Sequence, residues 1–129
     1  MLKLIRIILS PLTFVYAFVV KLRNYLFDKR IFKIKKVNAV VISVGNLTVG
    51  GSGKTPTVIF LAELMKKYKI NAGILSRGYR RRTHGYLFVS DGKKIRTTVD
   101  ECGDEMYLIS SETNLPTAVS ERRVEGANR

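Results

Sequence analysis

Residues 41–57 read VISVGNLTVGGSGKTPT: an apolar β-branched run, a loop holding Gly50, Gly51 and Gly53, then Lys54-Thr55-Pro56. Ala39 to Val44 predicts a short buried strand. Thr55 to Lys67 predicts a helix, because Val58, Leu61, Ala62, Leu64 and Met65 recur at helical spacing and Lys66/Lys67 close the pattern. Pro56 falls in the first turn, where its missing N–H is harmless. Strand, glycine-rich loop, Gly-Lys-Thr and helix is the order a phosphate-binding loop requires.

The residue types explain the chemistry. Gly50, Gly51 and Gly53 let main-chain N–H groups approach phosphate oxygens with no Cβ in the way. The helix start adds unsatisfied N–H donors and the positive end of its dipole. Lys54 can reach the β- and γ-phosphates as a mobile point charge, and the Thr55 hydroxyl is placed to hold Mg²⁺. The candidate nucleotide-binding set is therefore Thr48, Val49, Gly50, Gly51, Ser52, Gly53, Lys54 and Thr55. One departure from the general pattern stands out: Thr48 occupies the position where the leading glycine belongs.

Downstream, Asn71 to Ser76 predicts the next strand of a βαβ unit, running into SRGYRRR. Ligands in open α/β sheets gather outside the carboxyl ends of strands, so Arg77, Tyr79 and Arg80 are expected near the loop. The competing reading is a solvated basic turn. Gly85–Ser90 and Lys94–Val99, joined by Asp91-Gly92, predict a β-hairpin. Asp91 is therefore read as a turn residue rather than a metal ligand. Asp100, Glu101, Asp104 and Glu105 crowd the start of a helical pattern; they are either dipole partners or include the base that takes a proton from an acceptor hydroxyl. Pro116 to Ser120 predicts another strand, and ERRVEGANR opens a further helix.

The 129 residues carry a net charge of +13, enough chain for one modest domain. Such a charge points to a polyanion: nucleic acid, anionic lipid or a phosphorylated small molecule. It lies in two zones. Lys3, Arg6, Lys21, Arg23, Lys29, Arg30, Lys33, Lys35 and Lys36 face only Asp28 in the first 36 residues, and Arg77, Arg80, Arg81 and Arg82 form the second. A single cysteine, Cys102, excludes an internal disulfide, and nothing has the spacing of a Cys/His metal site. His84 reads as a solvated loop residue.

The first zone brackets an apolar stretch, Ile7 to Val20. It lacks the small-residue spacing of a signal-peptide cleavage site. As a helix these fourteen residues span about 21 Å, less than the roughly 30 Å of a bilayer core. A helix starting near Pro11, with Leu12, Val15, Tyr16, Val19, Leu22 and Leu26 on one stripe, predicts an element lying in one leaflet with basic residues at headgroup level. An amphipathic helix packed on the protein's own core is the alternative.

Taken in order after that segment, VISVGNLTVGGSGKTP, LSRGYRRR, GDE and VSERR resemble the tetraacyldisaccharide 4'-kinases of lipid A synthesis, over essentially the whole chain. Thr48 is similar to what that family carries. The resemblance implies a P-loop NTPase-like α/β fold: a parallel sheet core, an N-terminal membrane helix with a basic linker over residues 1–36, and a partial kinase domain over 37–129 with a β-hairpin insertion. It implies transfer of the ATP γ-phosphoryl group, with Mg²⁺, to the 4'-hydroxyl of a lipid A disaccharide precursor at the cytoplasmic face of the bacterial inner membrane. Partners would be that lipid and an anionic membrane surface, with no nucleic acid. By motif position Asp104 resembles the catalytic aspartate, Lys54 the phosphate-binding lysine and Arg123 an active-site arginine. Met106 replaces the expected proline after GDE. The family's later DDGFQH-like acidic segment and its catalytic histidine are absent from these residues, so the chain reads as an N-terminal part, expected to bind ATP weakly and transfer phosphate poorly alone. Two other classes compete: a soluble P-loop NTPase with a basic nucleic-acid surface, and a non-catalytic membrane adaptor.

Overall fold

The computed structural model describes residues 2–45 and 53–129. The chain divides into two compact units, Met1–Lys36 and Val37–Arg129.

The first unit is dominated by helix α1, Leu2–Asp28, 27 residues or about 40 Å long. It begins well before Pro11, which lies inside the helix rather than at its start. An interior proline loses the bond to the carbonyl four residues back and crowds that carbonyl, yet the helix runs continuously through it. The helix stops in a left-handed turn at Arg30 (φ 57°), where Ile31 N donates to Leu26 O and Arg30 N to Phe27 O. This double bond pattern satisfies the last carbonyls. Phe14, Tyr16 and Phe18 are 78%, 71% and 66% exposed, and Val15 and Val19 are exposed as well. Among the described residues no helix is long and apolar enough to cross a membrane.

The second unit is a mixed α/β layer. Helix α2 (Lys54–Lys67) is followed by β1 (Ile74–Ser76), β2 (Leu87–Asp91), α3 (Val99–Cys102), α4 (Asp104–Thr113), β3 (Pro116–Val119) and α5 (Arg123–Ala127). The sheet order is β1-β3-β2, with β1 parallel to β3 (Ile74 opposite Thr117) and β2 antiparallel to it (Leu87 opposite Val119). A register shift between Phe88 and Ser90 lets consecutive residues Val89 and Ser90 both turn inward. Val89, Cys102, Met106, Ile109 and Val119 form the core, flanked by Val58 and Ile59 of α2 and Ile74 of β1. Ser110 hydrogen-bonds Thr117 at 2.6 Å, pinning α4 to β3 through a fully satisfied buried pair.

Several expectations are corrected. Residues 39–44 form no strand, and Val40 is 96% exposed. A strand exists only with a ladder partner, and among the described residues none pairs with this segment. The sheet is mixed rather than all parallel. The hairpin reduces to one bridge, Ser90 to Ile95, because β2 takes β3 as its partner. The Asp91-Gly92 turn itself is present: Asp91 Oδ1 accepts from Lys93 N and Lys94 N, and Gly92 has φ 88°. The chain after it goes into a capping box instead of a strand, with Thr98 and Glu101 exchanging bonds at the start of α3. The acidic helix is two helices, broken at Gly103.

Candidate functional site

Helix α2 begins at Lys54 behind Gly53, whose φ of 71° is left-handed. Thr57 closes the first turn by donating both N–H and hydroxyl to Gly53 O. No side chain caps this helix among the described residues, and Pro56 has no N–H. The main-chain donors of Lys54 and Thr55 are those a helix start leaves to a ligand. Thr48, Val49, Gly50, Gly51 and Ser52 lie outside the described residues.

A second helix start meets this one. Asp104 and Glu105 occupy the first turn of α4, and Thr55 Oγ1 donates to Glu105 Oε1 at 2.8 Å. Packing of α2 on α4 brings Thr55 and Glu105 together across fifty positions of sequence. Asp104 precedes Glu105 and is exposed. In the sequence Glu105 is one of four acids that read either as dipole partners or as including the base; its contact with Thr55 depends on a tertiary crossing that no spacing in the sequence reveals.

The post-β1 loop reaches the same place. Gly103 (φ 86°, ψ 150°) approaches it so closely that a Cβ there would stand 2.6 Å from Tyr79 O. Tyr79 is 73% exposed, and the Arg80 guanidinium lies 5.3 Å from its ring centre in cation–π range. Arg77 is exposed immediately beyond β1. Because β1 and β3 are parallel, their carboxyl ends coincide. Ser120 N donates to Ser76 O at 2.8 Å, and exposed Arg123 opens α5 just beyond. The structure thus brings Thr55 to Glu105 and sets Gly103, next to Asp104, against the Tyr79 carbonyl, while Arg123 opens α5 beyond β3.

The four arginines of the second basic zone separate here. Arg81 is buried, its side chain 2% exposed, and pairs with Glu121 while also donating to Gly85 O. Arg82 N donates to Asp100 O and its side chain pairs with Asp100 at 3.4 Å. Glu121 also accepts from Gly85 N at 2.9 Å. Its carboxyl is held below the usual range, first by its own backbone N–H and then by the Arg81 guanidinium. Asp91 is held lower still, chiefly by Arg96 and then by Lys94 N and Lys93 N. That accounts for Asp91 as the anchor of a turn. His84 is exposed, as expected of a solvated loop.

Among the described residues no three metal-ligating side chains converge. Two hard oxygens do, Thr55 Oγ1 and Glu105 Oε1. They lie 2.8 Å apart, and hydroxyl and carboxylate oxygens are the donor type that Mg²⁺ takes. The residues present fit such an ion as part of its shell.

Comparison with known proteins identifies the family. The family model described as tetraacyldisaccharide-1-P 4'-kinase matches residues 5–129. The tetraacyldisaccharide 4'-kinase of Aquifex aeolicus is 43% identical over 124 residues, covering 95% of this chain and 39% of that protein. That of Shewanella halifaxensis is 42% identical, covering 96% and 36%. A crystal structure of LpxK from Aquifex aeolicus in complex with ATP superposes with a TM-score of 0.81 at 43% identity, over 95% of this chain and 39% of that one. The chain spans about two fifths of the length of these relatives.

Proposed function

Because the chain belongs to the tetraacyldisaccharide-1-P 4'-kinase family, we propose that it forms the nucleotide-binding and proton-accepting part of an ATP-dependent lipid kinase. Its reaction is transfer of the γ-phosphoryl group to the 4'-hydroxyl of a tetraacyldisaccharide 1-phosphate, a step of lipid A biosynthesis. The observation that carries this reading is the 2.8 Å bond between Thr55 and Glu105, which holds the Gly-Lys-Thr helix start against the acidic start of α4.

The roles follow from phosphoryl-transfer chemistry, in which positioning and charge neutralisation do most of the work. Residues 48–55 cradle the triphosphate with main-chain N–H groups. Lys54 neutralises charge on the transferred group. Asp104 takes the proton of the attacking hydroxyl. Thr55, with Glu105 beside it, would hold Mg²⁺, which would supply positive charge to offset the charge developing on the phosphoryl group. Arg77, Arg80 and Arg123 offer cations to phosphate on ATP or on the disaccharide, and Tyr79 stiffens Arg80 by stacking.

For the 1–36 segment the proposed partner is an anionic membrane surface, the cytoplasmic face of the inner membrane. Exposed Phe14, Tyr16 and Phe18 support it. Burying one such aromatic in lipid contributes about 1.5–3 kcal/mol, and each nearby lysine or arginine about 1 kcal/mol more.

Calorimetry with magnesium-ATP tests the nucleotide reading. Saturable binding that Lys54→Ala weakens about tenfold or more is expected, and no heat from the parent chain overturns it. Cosedimentation tests the surface. Retention on phosphatidylglycerol vesicles is expected, whereas binding to duplex DNA with none to vesicles refutes the membrane assignment.

A further inference from the structure

The second basic zone contains a side chain that the proposed chemistry does not use. Arg81 is buried, and its guanidinium joins Glu121, Gly85 O and, at 3.3 Å, Thr83 Oγ1. Its Nε is buried with no acceptor among the described residues. Burying a guanidinium is a poor way to gain stability, because desolvation offsets much of the Coulombic attraction. What a rigid five-donor fork does well is fix geometry.

The geometry it fixes is that of the turn above it. Gly78 has φ 70°, and a Cβ there would overlap Arg81 Cδ. The arginine stem therefore runs directly beneath the turn that displays Arg77, Tyr79 and Arg80. At its far end Glu121 sits between β3 and Arg123, and takes Gly85 N as well as Arg81. One ion pair, buried at its arginine and half exposed at its glutamate, thus ties the loop after β1 to the loop after β3.

Resting on the kinase reading, we propose that Arg81 is a positioning residue: clamped to Glu121 and Gly85 O beneath Gly78, it sets the Arg77–Arg80 turn in register to receive a phosphate group that Arg81 itself never touches. The phosphate belongs either to the nucleotide or to the sugar 1-phosphate of the acceptor, and both are tested.

The experiment is a mutant cycle on the full chain, with magnesium-ATP by calorimetry in one arm and glucosamine 1-phosphate by NMR titration in the other. Each variant is measured well below its own unfolding midpoint. Arg77→Met/Arg80→Met is expected to weaken one of the two ligands roughly tenfold or more. Arg81→Met should weaken the same ligand comparably, yet add less than about twofold in the Arg77→Met/Arg80→Met background. Arg81→Lys, which can face Glu121 but cannot also span to Gly85 O, should fall between. It stands in for Arg81→Met if that variant does not fold.

Full affinity in Arg81→Met, meaning a merely stabilising pair, overturns the inference. So does an equal loss in both backgrounds, meaning direct contact or general damage. If Arg77→Met/Arg80→Met binds both ligands like the parent, the reading of that turn as phosphate-facing fails, and the clamp's purpose with it. Loss of nucleotide binding in Lys54→Ala is independent of either result.

Discussion

Gly103→Ala strains the backbone and the packing at one atom. With φ 86° and ψ 150°, residue 103 occupies a region essentially reserved for glycine, and a side chain there costs about 1–3 kcal/mol. The added methyl would also stand 2.6 Å from Tyr79 O, a backbone atom that cannot swing aside. Overpacking of this kind costs about 1–3 kcal/mol more. A total near 3 kcal/mol should lower the unfolding midpoint by roughly 10–25 °C in a unit of this size. Gly85→Ala is the control: it too has positive φ (76°), but nothing lies within 4 Å of its Cβ position. Its cost should stay near 1–2 kcal/mol. Thermal unfolding by circular dichroism, with both variants and the parent at one concentration, gives the comparison. If Gly103→Ala melts no lower than Gly85→Ala, the close approach of the post-β1 loop to the α4 start is refuted.

Thr55→Val removes the hydroxyl shared with Glu105. Magnesium dependence of ATP binding should weaken, while Glu105→Gln, which keeps the acceptor oxygen, should keep the two helix starts together. An unaltered magnesium dependence in Thr55→Val argues against a cation at this oxygen pair. Acid sensitivity is the third test. Asp91, Glu101 and Glu121 all have folded-state pKa values lowered, Glu101 chiefly by the Thr98 N–H and then its hydroxyl. The unfolded chain then binds more protons, so their stabilisation is complete above the unfolded values near 4 to 4.5 and is lost as pH falls below them. Glu121→Gln should flatten the acid limb of the unfolding profile; an unchanged slope contradicts the lowered Glu121 value.

What the sequence revealed depended on how local the determinant was. Helix α2 was readable because its apolar spacing and terminal lysines are contained in fourteen residues. Strand β3 was readable for the same reason. The segment 39–44 has the composition of a buried strand, yet strand formation depends on a neighbour, and composition cannot supply one. At 94–99 alternation competed with a capping box, and Thr98-x-x-Glu101 won; that signal was present in the sequence and outweighed by the Asp-Gly turn. Arg81 could not be told from Arg80 or Arg82, because burial of a guanidinium is decided by a carboxylate forty positions away. Glu105 was hidden similarly: its partner lies on another helix.

Among the described residues the middle strand of the sheet is also the last strand in sequence. Among the described residues β1 pairs only with β3, and β2 without β3 has only the Ser90–Ile95 bridge; closing the gap from Ile74 to Thr117 means ordering a loop of about forty residues. Folding of this unit is therefore governed by one slow, non-local closure. On the ribosome, the cationic turn after β1 would wait, exposed and unanchored, until Glu121 had emerged.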